Sequence, residues 1–238
     1  MSGYKRFYVT KITDNAEIVG EEFTHAVSVL RIKKGEKIFL CDKEGREFIA
    51  EISSVEKKRL IAKLIEESKN LCEPKEEIVL IAGYLKGDKT ELVIQKAVEL
   101  GVSKVVVFSS EYSSAYMNDN KLERLNRVAM EACKQCGRAK VPPVIYKETL
   151  ERALVEGDGV KNKLFACEFA TSSEVELSNL IGSTAVVVGS EGGFSESEFE
   201  LAKSLGYKTV YLGKRILRAE TACIALTAII ANALGEFE

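Results

Sequence analysis

Ala185-Val186-Val187-Val188-Gly189-Ser190-Glu191-Gly192-Gly193-Phe194-Ser195-Glu196-Ser197-Glu198-Phe199 reads as a buried strand, a glycine turn and a helix start in immediate succession. Four consecutive apolar residues suit a strand covered on both faces, as in a parallel sheet. The helix start is over-determined. Ser195 is a side-chain N-cap, Glu198 completes a capping box three residues on, and Phe194 and Phe199 occupy the two staple positions. Strand, glycine turn and helix form the corner at which α/β sheets bind ligands, because glycines let backbone amides come close. The same glycines also fit a plain tight turn needing positive φ, so the loop alone leaves both readings open.

A phosphate is a poor ligand for this loop. It lacks the Gly-Lys-Ser/Thr ending of a Walker A sequence, its spacing departs from the Gly-x-Gly-x-x-Gly dinucleotide fingerprint, and Glu191 inside it repels a phosphate. A carboxylate there suits a ligand that carries positive charge. Downstream, Leu212-Gly213 ends another strand. Lys214, Arg215 and Arg218 then precede Glu220-Thr221 and an almost wholly apolar stretch, 222–234, read as a buried helix. Cations at a helix start oppose the macrodipole, so a partner is expected for them: Glu220, Glu191 or an RNA phosphate.

From residue 78 onward strands and helices alternate, the signature of an α/β domain with a largely parallel sheet. Strands are expected at 78–82, 104–108, 144–146, 163–167, 185–188 and 209–212. Asp88 with Glu91 reads as a capping box opening a helix that Gly101 closes, and Leu122, Leu125, Val128, Ala132 and Cys136 form an apolar stripe ending at Gly137. The first seventy or so residues differ. Short strands at 37–41, 47–52 and 59–65, an Asp42-Lys43-Glu44-Gly45 turn, and one short helix at 22–30 with Phe23, Ala26, Val27 and Leu30 at helical spacing suggest a small β-barrel. The stretch 66–77, with Asn70, Pro74 and five acids, is the expected linker. The division is placed at 1–72 and 73–238.

Of the 238 residues, 29% are charged and 46% hydrophobic, which is globular composition and excludes a disordered chain or a bundle of membrane spans. No apolar run follows Lys5-Arg6, so a secretory signal is not expected, and the longest uncharged apolar stretch, 221–234, is too short to span a bilayer comfortably. Six cysteines, at 41, 72, 133, 136, 167 and 223, are too dispersed for a disulfide framework, and a cytoplasmic location is the expectation. Cys133-x-x-Cys136 has no second ligand pair and falls on one helical stripe, so no metal site is expected. The net charge of −2 exerts no overall pull toward nucleic acid. Its distribution is uneven: 121–147 holds seven Lys/Arg against two acids, 201–219 holds five and no acid, and 148–200 between them holds eleven acids against three bases. Solvated helix faces account for any one such run; two basic runs beside candidate loops also suit an RNA partner.

Segments 86–102, 131–144, 189–207 and 211–222, together with His25-Ala26-Val27-Ser28-Val29-Leu30-Arg31 followed by Lys34-Gly35-Glu36, resemble the 16S ribosomal RNA uridine-N3 methyltransferases of the SPOUT superfamily, in the right order over nearly the whole chain. The resemblance implies the fold: a PUA-like, RNA-binding β-barrel over 1–72, then a SPOUT α/β domain over 73–238 whose last segment threads a trefoil knot. It implies a homodimer joined through the knotted domain, S-adenosylmethionine as cofactor, and 16S RNA of the small ribosomal subunit as substrate, methylated at N3 of a uridine in the decoding region near the 3′ end. The positive sulfonium and amino groups of that cofactor, and its lack of phosphate, agree with Glu191 in the loop.

On this resemblance the cofactor is expected on backbone groups at Phe165, Ala166 and Cys167, on Gly189, Ser190, Glu191, Gly192 and Gly193, and on Leu212, Gly213, Ile216 and Leu217, with Thr221 and Ala222 closing the pocket. Uridine N3 is a weakly acidic imide nitrogen, so the reaction needs positioning, charge stabilisation and a base. Arg218 is the candidate for stabilising negative charge on the uracil oxygens. Glu191 or Glu220 is the candidate base, and a salt bridge from either to Arg215 or Arg218 is the competing role. For RNA the candidates are Arg6, His25 and Arg31 in the barrel, and Arg138 and Lys140 after the long helix; apart from the resemblance, His25 reads as a core or capping residue. Two positions depart from the family pattern: Ser190 stands where members usually carry proline, and Ala219 where they usually carry threonine. A less rigid turn and a lost hydroxyl are expected from these, not a lost activity. A SPOUT enzyme acting on tRNA or on a ribose 2′-hydroxyl, and an assembly factor without catalysis, are the competing readings.

Overall fold

The computed structural model describes residues 3–42, 44–112, 117–167 and 170–237; Lys43 of the expected turn lies outside them. The chain divides into two compact units, one made of residues up to Glu73 with Cys133–Val141, the other of Pro74–Ala132 and Pro142–Glu238.

The first unit is a mixed five-stranded sheet. Strands β1 (Lys5–Tyr8), β2 (Asn15–Val19), β3 (Lys37–Cys41), β4 (Glu47–Val55) and β5 (Arg59–Ser68) lie in the order β1-β3-β4-β5-β2. All neighbours are antiparallel except β1 and β3. Alternation puts Ala16, Ile18, Ile38, Leu40, Ala50, Ile52, Leu60 and Ala62 in one core with Phe7. Register shifts in the β4–β5 pair, at Ile49/Ala50 and Ile52/Ser54, are bulges that bend the sheet around that core. The short helix expected at 22–30 is α1 (Gly20–Thr24), continued by a π-helical turn, His25–Val29, in which Leu30 N–H donates to His25 O at 3.1 Å. Phe23, Ala26, Val27 and Leu30 all pack on the core, as their spacing predicts.

Residues 133–141 join this unit although the sequence division falls at residue 72, and hydrogen bonds explain why. Tyr8 Oη donates to Arg138 O at 2.6 Å, Asn70 Nδ2 to Gly137 O at 2.9 Å, and Glu73 Oε1 accepts from the backbone of Ala139 and Lys140 at 2.7 and 2.8 Å.

The second unit holds six parallel strands: β6 (Ile78–Gly83), β7 (Lys104–Phe108), β8 (Val144–Lys147), β9 (Asn162–Ala166), β10 (Thr184–Val188) and β11 (Lys208–Val210), in the order β11-β9-β10-β6-β7-β8. Each lies within two residues of its expected bounds. β6 and β10 are central and buried at every position, which is why both read as unbroken apolar runs. The edge at β11 is covered: Glu174 N–H donates to Thr209 O at 3.0 Å, and Ser173 Oγ accepts from Tyr211 N at 3.0 Å.

Five helices complete the architecture: α2 (Lys89–Glu99), α3 (Asp119–Cys136), α4 (Leu150–Leu154), α5 (Glu196–Ser204) and α6 (Ala219–Ala233). The capping box of α5 is present with both of its bonds. The one expected at α2 is absent: Asp88 makes no cap hydrogen bond. Instead Thr90 Oγ1 accepts Leu85 N–H at 3.0 Å and shapes the turn, while Glu91 is drawn to Arg124 at 2.8 Å. α6 begins three residues ahead of the expected 222, with Arg218 at its N-cap position, and packs on α2, β6 and β10. No helix among the described residues is long and apolar enough to cross a membrane, and no cluster of His, Cys, Asp and Glu among them is arranged to hold a metal ion.

Candidate active site

The chain leaves β6 toward β7 on one side of the sheet and leaves β10 toward β11 on the other, so the carboxyl ends of these two neighbours flank a topological switch point. Gly83, the last residue of β6, lies so close to the glycine loop that a Cβ there would come within 2.4 Å of Ser190 N and 2.9 Å of Ser190 Cα. A Cβ on Gly189 would meet the Phe194 ring at 2.9 Å, and one on Gly192 the Tyr112 backbone oxygen at 2.9 Å. The loop is therefore a backbone cradle that side chains would fill. It is anchored from below, where Phe194 packs on Phe165 with ring centroids 4.3 Å apart. Gly83→Ala is expected to cost about 1–3 kcal/mol of stability, because the clash is with backbone and cannot be relieved by a rotamer. Urea denaturation checks this; an unchanged midpoint would contradict the close approach.

Ser190, from which a less rigid turn is expected, has a hydrogen-bond partner in a neighbouring loop. Its hydroxyl is buried and lies 3.0 Å from Ser110 Oγ in the loop after β7. Glu198 Oε1 takes Glu111 N–H from the same neighbouring loop at 3.0 Å.

Register sets three strand ends level: Ala166 pairs with Val188 on one side and Val210 on the other. Phe165 and Ala166 are buried and Cys167 is half-buried. Residues 189–193 and 211–218 open from the neighbouring ends. Gly213 takes φ +88 with free space where a Cβ would sit. Leu212 and Leu217 are half-buried, Ala222 is buried, Thr221 is exposed, and Ile216 is 99% exposed. The Ile216 side chain therefore has no protein cover.

The two acids are brought together, but not by arginine. Lys89, the first residue of α2, places Nζ 3.0 Å from Glu191 Oε1 and 3.8 Å from Glu220 Oε2. Glu191 Oε1 also accepts Lys86 N–H at 3.2 Å. Burial pushes the Glu191 carboxyl up, yet its hydrogen bond to Lys89, the backbone donors and the Lys89 charge outweigh that and hold it below the ordinary carboxylate range. Glu191 is therefore an anion at neutral pH. Arg215 and Arg218 are exposed, with no hydrogen bond or ion pair to either acid among the described residues. Lys89 was absent from the sequence candidates, as was Gly83. The signal for Lys89 was available: it is a cation on the first turn of a helix, the same conflict with the macrodipole that marked Arg218.

The nucleic-acid candidates separate into two groups. Arg6 is ion-paired to Glu47 with both side chains inside, and Ser68 and Asn70 donate to the same carboxylate at 2.9 and 2.8 Å. Arg138 is likewise buried, on Glu73 at 3.1 Å. His25 is half-buried and lines an open concavity of about 590 Å³ with Gly20, Glu21, Thr24 and Val29. Arg31 and Lys140 are exposed. Arg31 takes the left-handed conformation (φ +53), ending the π-helical turn so that Ile32 N–H reaches Ala26 O at 3.0 Å.

Residues 72–231 match the family model described as an RNA methyltransferase domain, and residues 18–65 that of an RNA methyltransferase PUA domain. The chain is 33% identical to ribosomal RNA small subunit methyltransferase E of Bacillus subtilis (strain 168) over 229 residues, covering 89% of this chain and 88% of that protein. It is 32% identical to the protein of the same name from Mesomycoplasma hyopneumoniae (strain 232) over 231 residues, covering 93% and 96%. The crystal structure of a ribosomal RNA small subunit methyltransferase E from Neisseria gonorrhoeae bound to S-adenosyl methionine superposes with a TM-score of 0.88 at 30% identity, covering 99% of this chain and all of that one.

Proposed function

The chain belongs to the RNA methyltransferase family that includes ribosomal RNA small subunit methyltransferase E, and from that premise we propose that it moves the methyl group of S-adenosylmethionine to N3 of one uridine of 16S RNA, in the decoding region of the small subunit near the 3′ end. The observation that carries the cofactor reading is the backbone cradle at Gly83, Gly189 and Ser190 with an ionised Glu191 at its mouth. That chemistry fits a cationic ligand without phosphate. S-adenosylmethionine, when bound, supplies an electrophilic methyl on sulfur.

The chain's own residues do the rest. Backbone groups of Phe165, Ala166 and Cys167, of 189–193, and of Leu212, Gly213, Ile216 and Leu217 hold the cofactor, and Thr221 and Ala222 close its pocket. Arg218, exposed and uncommitted to either acid, meets the uracil oxygens on which negative charge grows as N3 loses its proton. Glu191 or Glu220 accepts that proton. His25, Arg31 and Lys140 bind RNA, while Arg6 and Arg138 support that surface from inside by fixing Glu47 and Glu73. The late insertion of β10 between β6 and β9 supports a last segment, 211–237, that threads the cofactor loops as a trefoil knot. Leu92 and Ile229, each 41% exposed on the packed α2–α6 pair, support a homodimer through this domain.

Titration calorimetry tests the cofactor reading: one S-adenosylmethionine binds per chain, whereas ATP and NAD do not. Binding of a nucleotide phosphate in its place would contradict it. Arg31→Gly relieves about 1 kcal/mol of left-handed strain and is expected to raise the thermal midpoint while weakening binding to small-subunit RNA. Scanning fluorimetry and filter binding separate the two effects; unchanged RNA affinity would remove Arg31 from the interface.

A further inference from the structure

Lys89 occupies a position that its own helix disfavours, since an ammonium on the first residue of α2 faces the positive end of the macrodipole. Its neighbours compensate, but unequally. Glu191 Oε1 receives Lys89 Nζ at 3.0 Å and a backbone N–H as well. Glu220 Oε2 has Lys89 Nζ at 3.8 Å, is buried, and accepts no hydrogen bond among the described residues. A buried acceptor left without a donor is destabilising, and more so when it is charged.

Among the elements packed on α6, α2 brings Lys89 no nearer than 3.8 Å to Oε2, while its Glu91 is paired with Arg124 and its Lys96 with Glu99. The strands β6 and β10 bring only uncharged residues to it, and the turn Leu177–Asn179 brings no ionisable group. On α6 itself, Cys223 lies one turn on; burial first, and then the Glu220 charge, push its thiol up to about 12, so it adds no charge. The charged groups facing Glu220 are Lys89 and, across it, Glu191. An open acceptor beside a ligand cradle points to a donor carried by the ligand.

We propose that Lys89 is the positioning residue of methyl transfer: it ties Glu191 to the start of α2 as a fixed anion and holds Glu220 so that Oε2 takes the N3 proton of the uracil ring. This rests on the uridine reading above and divides the roles that it leaves open between the two acids. The proton passes from N3 to the Glu220 carboxylate and the N3 electron pair forms the new bond to the methyl carbon. The methyl–sulfur bond breaks with its electrons remaining on sulfur, which becomes a neutral thioether, and Glu220 then releases its proton to water.

The test uses the full-length protein, small subunits from cells lacking it, and labelled S-adenosylmethionine, with cofactor Kd from calorimetry and kcat from methyl transfer. Glu220→Gln is expected to lower kcat about 10²-fold or more, the usual worth of a general base, with cofactor Kd little changed. Glu191→Gln weakens the cofactor and lowers kcat less than Glu220→Gln does. Lys89→Ala is expected to lower kcat by more than it weakens the cofactor, and Lys89→Arg, which keeps the cation in place, to restore kcat. A greater loss of kcat from Glu191→Gln than from Glu220→Gln overturns the proposal. So does a Lys89→Ala protein with unchanged kcat, or one whose lost kcat Lys89→Arg does not restore, the mark of a purely structural lysine. If Lys89→Ala does not fold, Lys89→Arg and Glu220→Gln decide. Nucleoside analysis of the wild-type product reads the uridine assignment separately: methyl found elsewhere than N3 overturns the proton's origin whatever the variants do.

Discussion

Arg218→Ala lowers the rate of methyl transfer by roughly 10²–10³-fold, about 3–4 kcal/mol of barrier, and leaves the unfolding free energy within about 0.5 kcal/mol. Both halves of this expectation come from where the side chain sits. Arg218 is the N-cap residue of α6, with extended backbone and no side-chain cap bond, and its exposed guanidinium makes no ion pair with Glu191 or Glu220 among the described residues. The helix therefore does not depend on it, and its position even opposes the macrodipole. A cation kept at an unfavourable place beside the ligand loops is available for charge that develops only during reaction. Such charge is the kind whose stabilisation raises kcat rather than ground-state binding. Single-turnover transfer to small subunits, with a urea titration alongside, measures both quantities. A large stability loss with little change in rate would make Arg218 a structural residue.

Arg6→Ala has the opposite profile: a loss of about 3–5 kcal/mol of stability, because truncation leaves Glu47 buried and uncompensated. Glu47 is 3% exposed and Arg6 9%. Ser68 and Asn70 also converge on that carboxylate, and Asn70 continues to Gly137, so the pair links four segments of the first unit. The Arg6 guanidinium stacks over Phe39 at 4.9 Å as well. Arg6→Lys keeps the charge but not the fork and is expected to recover only part of the loss. Chemical denaturation followed by a probe in the first unit checks the order wild type, lysine, alanine. A stable Arg6→Ala protein that has lost only RNA affinity would return Arg6 to the surface role that its sequence position first suggests.

These two arginines show where the sequence was legible and where it was not. Strand positions came from apolar runs and turn residues, local signals, and the parallel sheet followed from their alternation with helices. The α5 start was legible because Ser195, Glu198 and their backbone partners lie within four residues. The α2 start was misread, since the same Asp-x-x-Glu pattern is overridden by Thr90 within the turn and by Arg124 on another helix. Burial of Arg6 depends on Glu47, 41 positions away, and that of Arg138 on Glu73, 65 positions away. No spacing rule reaches so far. The acids of the site were legible as types, but their partner was not: Lys89 lies 102 residues from Glu191, and only the fold brings them within 3.0 Å.

Methyl transfer to a uridine N3 of small-subunit RNA is read by nucleoside analysis of that RNA from a strain lacking the gene. N3-methyluridine is expected to disappear, to return with the wild-type gene, and not to return with Arg218→Ala at equal protein levels. Loss of a different modified nucleoside, or an unchanged set of them, would contradict it.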